Sequence, residues 1–296
     1  MTPARPPAGA TPAQAGESIP RSVVGHGYAA LDLGTARTRS FCWGAPAIAD
    51  RSSAVPARTP ATSPTSSAPP QAAAPGPGSE PPGADLIWPI RHGMVADPAA
   101  CQRLIRDVLA DASLVGSWPL RRILVGVPVA ATPGDRGALR LAVSRAAGCQ
   151  AVLVEEPLAA ALGAGLDVTD PRPCLLVDVG AGIVEAVAIR DGAVADAVAL
   201  QLVTSGAGLP SYAIDSVAHM TAELLRGLPA RLRSTARAAG LTVTGGGAQQ
   251  AALLRRLRDA LPMPVTVAAA PAHATIRGLT RLCLQPALAA RLAADR

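Results

Sequence analysis

A chain of 296 residues with 49% apolar side chains has the length for one large domain or two ordinary ones, and enough apolar mass to exclude disorder throughout. The net charge is +6, but all 27 basic residues are arginine and scattered, and only three Trp, two Tyr and one Phe could stack on bases, so nucleic acid is not an expected partner. The lack of lysine excludes a Walker-type phosphate loop, and five cysteines without a CxxC pair suit a reduced compartment.

In chain order, residues 1–24 read as a disordered tail; the first 20 show no charged n-region followed by an apolar h-region, so a secretion signal is not expected, and no uncharged apolar run reaches the ~18 residues needed to span a bilayer. "YAALDLG" and "SFCWG" read as strands. Residues 51–84 are Pro/Ser/Ala/Gly-rich with hardly a branched apolar side chain; burial there is too small to offset chain entropy, which predicts an unstructured insert inside a folded region. Pro98–Leu114 reads as a helix, "RRILVGVPV" as a strand, Asp135–Ala147 as a helix and "AVLVEE" as a strand. Pro157–Leu166 reads as a helix opened by proline, whose missing N–H costs nothing at that position.

Three antiparallel strands are predicted next, "CLLVDVG", "GIVEAVAIR" and "AVADAVALQLV", the last two joined by the tight-turn pair Asp191-Gly192. Helices at about 208–226 and 228–239, the strand "LTVTG", a helix at 248–260, the strand "PVTVAA" and a last helix from about 272 complete the chain. Alternating runs of strands and helices predict an α/β fold with mixed sheets.

Three glycine turns follow strands: "LDLGTART", "VDVGAGIVE" and "TVTGGGAQQ". The first two share Asp-X-Gly and continue into another strand, so each can form a hairpin whose backbone N–H groups face a phosphate while its aspartate faces a metal. The third leads into a helix, whose N-terminus suits a phosphate or a flat base. In "VEEPLAAALGAGL", Glu155 and Glu156 lie at a strand-to-helix junction, where one could orient a water, or both could simply favour the positive end of the helix.

The series DLGTART, EEPLAAALGAGL, DVGAGIVE and LTVTGGGA resembles the bacterial actin-like MreB family of rod-shape-determining proteins over most of 25–50 and 85–284. That resemblance implies an actin-like, ribonuclease H-like, two-lobed ATPase core. Residues 25–50 and 85–153 would form the first lobe, 154–268 the second, and 269–296 a C-terminal helix returning to the first. It implies ATP and Mg²⁺ as cofactors. Asp32, Gly34, Thr35, Ala36 and Arg37 would form the first phosphate loop, and Asp178, Gly180, Ala181 and Gly182 the second. Gly245, Gly246 and Gly247 would form the adenosine loop; Glu156 would position water, and Asp32 and Asp178 would approach Mg²⁺ through water.

The chain departs from the family pattern. Ala181 interrupts a run of three glycines and Ile183 stands where a hydroxyl is expected. Arg37 replaces an asparagine, either as a compensating charge or pointing to solvent. The first small subdomain is reduced and the second has no room, which predicts a shallow cleft, half a base pocket and at most a weak ATPase. The implied role is a cytoskeletal protein of cell shape and cell-wall morphogenesis, self-associating or co-assembling with a full-length relative alongside cell-wall synthesis proteins in the cytoplasm. An active filament-forming ATPase and a degenerate non-functional paralogue are the alternatives. The tryptophans are expected to serve packing, the histidines are assigned no role, and Arg255–Arg258 are expected on a solvated face, with the inner membrane surface open as a partner.

Overall fold

The computed structural model describes residues 27–43, 45, 47–57, 85–112, 120–202 and 208–293. The elements run β1 (Tyr28–Leu33), β2 (Arg37–Cys42), β3 (Ala49–Ser52), β4 (Val55–Pro56), β5 (Leu86–Ile87), β6 (Ile90–Arg91), β7 (Met94–Val95), α1 (Pro98–Ala112), β8 (Arg122–Val127), α2 (Pro133–Ala147), β9 (Gln150–Glu155) and α3 (Glu156–Ala164). They continue β10 (Cys174–Val179), β11 (Ile183–Arg190), β12 (Ala193–Gln201), α4 (Ser211–Gly227), α5 (Ala230–Ala239), β13 (Leu241–Thr244), α6 (Ala251–Ala260), β14 (Val265–Val267), a 3₁₀ turn at Pro271–His273, α7 (Ala274–Leu284) and α8 (Pro286–Leu292).

Two five-stranded sheets share one topology. Their orders are β3-β2-β1-β8-β9 and β12-β11-β10-β13-β14, each an antiparallel three-strand meander extended by two parallel strands. Alternation along the inner strands sends neighbouring residues to opposite layers. Leu31 joins α1 and α2 in one core, whereas its neighbour Ala30 joins α3 and α7 in another. In the second sheet Leu175 faces α4 and α6, and Leu176 faces the α3–α7 layer. The layers therefore run helices, sheet, helices, sheet, helices, with α3 and α7 shared by both sheets.

That shared layer is thin because glycines lie at its crossing. A Cβ at Gly163 would meet the Ala274 carbonyl oxygen at 1.8 Å, and one at Gly278 would meet that of Ala159 at 1.8 Å. The two backbones touch, which no other side chain permits. The C-terminal helix α7 also packs on β1 and β8 of the first sheet.

Two details differ from the sequence expectation. The insert expected to be unstructured from residue 51 begins instead within β3, and Val55 and Pro56 pair with Ile87 and Leu86. Val55 is buried in the first core, and this one branched side chain supplies burial that a composition count overlooks. Residues 58–84 and the tail 1–24, both expected unstructured, lie outside the described residues. The second difference is the β6–β7 hairpin, whose strands are too short to produce a periodic signal.

Candidate functional site

The two Asp-X-Gly turns have the same construction. In the first, Asp32 pairs with Arg39 and Leu33 with Thr38, leaving Gly34–Arg37 as the turn; in the second, Asp178 pairs with Glu185 and Val179 with Val184, leaving Gly180–Ile183. A Cβ at Gly34 would meet the Arg37 carbonyl oxygen at 2.8 Å, and one at Gly180 the Ile183 carbonyl oxygen at 2.7 Å, so both turns need glycine at the same place. The turns also meet each other: a Cβ at Gly182 would lie 2.4 Å from Thr35 Oγ1.

A third turn ties them together. His92 and Gly93 between β6 and β7 have positive φ, 51° and 73°. The Gly93 N–H donates to Thr35 Oγ1 at 3.1 Å, and His92 Nδ1 lies 2.7 Å from the Gly182 carbonyl oxygen. Since a carbonyl only accepts, His92 carries its hydrogen on Nδ1. Thr35, having accepted from Gly93, keeps its own hydroxyl hydrogen for another acceptor.

Between the turns is a cavity of about 110 Å³ lined by Asp32, Gly34, Thr35, Ala36, Arg37, Glu156, Asp178, Gly180, Ala181, Gly182, Gly245 and Gly246, and also by Arg39, Gly93, Ile183, Ala272 and Thr275. It opens beside a larger, mostly apolar cavity of about 740 Å³ that shares Thr35, Ala36, Gly180, Ala181 and Gly246 and adds Gly247, Trp88, His92, Leu202 and Leu209. Every residue expected at the site thus lines one cavity or both. The apolar cavity is the larger of the two.

The charges are crowded. Asp32 is buried; desolvation pushes its carboxyl up to about 6, with Arg39 acting downward and Asp178 upward. Asp178 is raised by burial too, while a hydrogen bond donated by Thr244 Oγ1 at 2.8 Å and the charge of Arg39 act the other way. Glu185, paired across the sheet with Asp178, is pushed up to about 7 mainly by burial, and accepts from the Ala130 N–H at 3.1 Å. Glu156 is raised well above the usual carboxylate range, by burial first and then by Asp32, Glu185 and Asp178. Its Oε1 has no hydrogen-bond partner among the described residues. Burial and an unpartnered Oε1 both favour the protonated form of Glu156, which weakens it as an acceptor for orienting a water.

Arg39 is the counter-charge. Its Nη1 lies 3.4 Å from Asp32 Oδ2 and its Nε 3.1 Å from Asp50 Oδ2. Arg37 Nε lies 2.9 Å from Asp50 Oδ1 with 48% of its side chain exposed, so this charge is paired and also faces solvent. His273 Nε2 lies 3.4 Å from Asp50 Oδ2.

A directly bound divalent cation fits this donor set poorly. No group of three or more His, Cys, Asp or Glu is placed to hold a metal among the described residues, and Asp32, one of the two aspartates expected to approach Mg²⁺, already faces a guanidinium.

The third turn combines packing with approach. The Gly245 N–H donates to the Pro271 carbonyl and the Gly247 N–H to the Val179 carbonyl, both at 2.9 Å. A Cβ at Gly245, where φ is 88°, would strike the Val179 backbone at 2.4 Å, whereas one at Gly246 would meet nothing within 4 Å. Only Gly246 therefore presents an unobstructed face.

Sequence reasoning missed Arg39, Asp50, Glu185, Thr244 and His92, and it assigned His92 and His273 no role. The signal for two of them was available: a four-residue hairpin turn places the residue seven positions after each Asp-X-Gly aspartate opposite that aspartate.

A family model described as MreB/Mbl protein matches residues 27–206. The chain is 36% identical over 104 residues to the cell shape-determining protein MreB of Escherichia coli strain K12, covering 35% of this chain and 30% of that relative. It is 27% identical over 106 residues to the cell shape-determining protein Mbl of Bacillus subtilis strain 168, covering 36% and 32%. The aligned part thus spans about a third of the length of these curated relatives. Among solved structures, MreB5 of Spiroplasma citri bound to AMPPNP superposes with a TM-score of 0.69 at 20% identity, covering 86% of this chain and 95% of that one. The MamK double helical filament superposes at 0.65 and 16%, covering 86% and 98%. The fold is therefore an actin-like core.

Proposed function

The chain belongs to the MreB/Mbl family, and we propose on that footing that it is an actin-like nucleotide-binding protein of cell shape, acting by self-association or co-assembly with a full-length relative in cell-wall morphogenesis. The observation that carries this reading is the convergence of two alike glycine hairpins on one cavity beside a larger apolar one. Backbone turns and Thr35 suit the phosphates; the apolar cavity by Trp88 and Leu209 suits the nucleoside.

Hydrolysis is weak or lost in this reading. Ile183 lines the phosphate cavity where a hydroxyl is expected, and burial with the nearby Asp32, Glu185 and Asp178 raises the Glu156 carboxyl well above the usual range. A carboxyl shifted toward its protonated form is less available to take a proton from water.

The testing experiment is ATP affinity of the full chain, by calorimetry or a fluorescent analogue, with sedimentation in parallel. Binding tighter than about 1 mM supports the reading. Failure of ATP and ADP to bind at millimolar concentration overturns the nucleotide function. Monomers alone, with and without nucleotide and with a full-length relative added, overturn the assembly role.

A further inference from the structure

We propose that Arg39 is a built-in counter-cation: its guanidinium, paired with Asp32 across the first hairpin and lining the phosphate cavity, supplies positive charge that a divalent ion would otherwise bring, so that a nucleotide polyphosphate enters this cleft without needing Mg²⁺. The inference rests on the nucleotide reading above and specifies the ligand as a polyphosphate in metal-free form.

The geometry begins in the sheet. Asp32 and Arg39 are directly paired residues of β1 and β2, so both side chains leave the same face at the same level. The guanidinium is 12% exposed, lines the phosphate cavity and lies 3.4 Å from Asp32 Oδ2. Its position is fixed from the other side by Asp50, 3.1 Å from Nε. Arg37, also paired to Asp50, stands at the mouth of the same cavity. A planar fork held through Nη1 by Asp32 and through Nε by Asp50 keeps further N–H groups for an anion, a geometry suited to phosphate oxygens.

The second hairpin makes the contrast. At the matching register position it carries Glu185, opposite Asp178, and no cation. Arg39 is thus the cation paired to a carboxylate within a cavity also lined by Asp178 and Glu156. A hydrated divalent ion brought to Asp32 would have to displace or share this ion pair, which would cost it affinity. A polyphosphate would instead gain charge-assisted hydrogen bonds.

The test is a titration of a fluorescent ATP analogue into the full chain, in excess EDTA and again in excess Mg²⁺, for the wild type, Arg39→Lys and Arg39→Met. The expected result is wild-type affinity equal within about twofold in the two buffers. Arg39→Met should weaken EDTA binding by tenfold or more, and Arg39→Lys should weaken it less. Wild-type binding that appears only with Mg²⁺ would overturn the counter-cation while leaving the nucleotide reading intact. Absence of binding in both buffers would overturn both. Mn²⁺ binding followed by water proton relaxation, without nucleotide, separates the cases independently of any variant's folding. Wild type that takes up no Mn²⁺ at millimolar concentration fits the proposal, and tight uptake by wild type contradicts it.

Discussion

Asp32 and Arg39 are register partners across β1 and β2, and Asp178 and Glu185 hold the same positions across β10 and β11. One hairpin presents an ion pair at 3.4 Å; the other presents two carboxyls side by side. The same backbone thus carries opposite electrostatics in its two copies.

The Glu185 carboxyl gives the molecule a predictable pH dependence. Its folded pKa, about 7, lies above the ordinary 4.5, so the folded state binds the extra proton between those values. The associated stability is complete below about pH 4.5 and is lost as pH rises through 7. Urea unfolding at pH 5 and pH 8 should show wild type losing up to about 3 kcal/mol that Glu185→Gln does not lose. Equal losses in the two proteins would contradict the burial argument.

Restoring the second phosphate loop should strengthen nucleotide binding. Ile183→Thr places a hydroxyl on the cavity wall and Ala181→Gly relieves its approach. One added hydrogen bond is worth about 1 kcal/mol, which corresponds to roughly a fivefold gain in affinity. A titration with the fluorescent analogue measures it, and an unchanged affinity would direct attention to the base pocket.

The glycines of the third turn should separate into two classes. Gly246→Ala should leave the thermal midpoint unchanged while weakening nucleotide binding, because an added methyl points into open space within the cleft. Gly245→Ala should lower stability by more than about 2 kcal/mol, since φ is 88° and the Val179 backbone blocks the Cβ. Thermal melts with parallel titrations distinguish the classes.

At the crossing of α3 and α7, Gly278→Ala should destabilise by about 3 kcal/mol or more. The Ala159 carbonyl is backbone and cannot rotate away. Chemical denaturation measures the loss; a cost below about 1 kcal/mol would mean that the helices can part.

The fold and phosphate turns were legible because glycine at a tight turn and aspartate at a strand end leave local marks in the chain. Asp32, Gly34, Asp178 and Gly180 all stand where those marks place them. Arg39 and Glu185 were not assigned, since their meaning depends on pairing register, which the seven-residue offset from each aspartate gives only once a four-residue turn is assumed. His92 was hidden in a hairpin too short for periodicity, and it meets Gly182 only through the tertiary fold. The glycines of α3 and α7 look like weak spots in helices until the partner backbone is seen against them.

Where Gly163 and Gly278 meet, the usual interlocking of side-chain ridges is absent. Bare backbone on bare backbone fixes how far apart two rods lie but supplies little to fix the angle between them. The angle is left to flanking side chains such as Leu158 and Leu279, which also touch the sheets on either side. The spacing of α3 and α7 is therefore set by main-chain atoms and their crossing angle by the side chains around them, so a substitution at Leu158 or Leu279 would tilt the helices where one at Gly163 or Gly278 would push them apart.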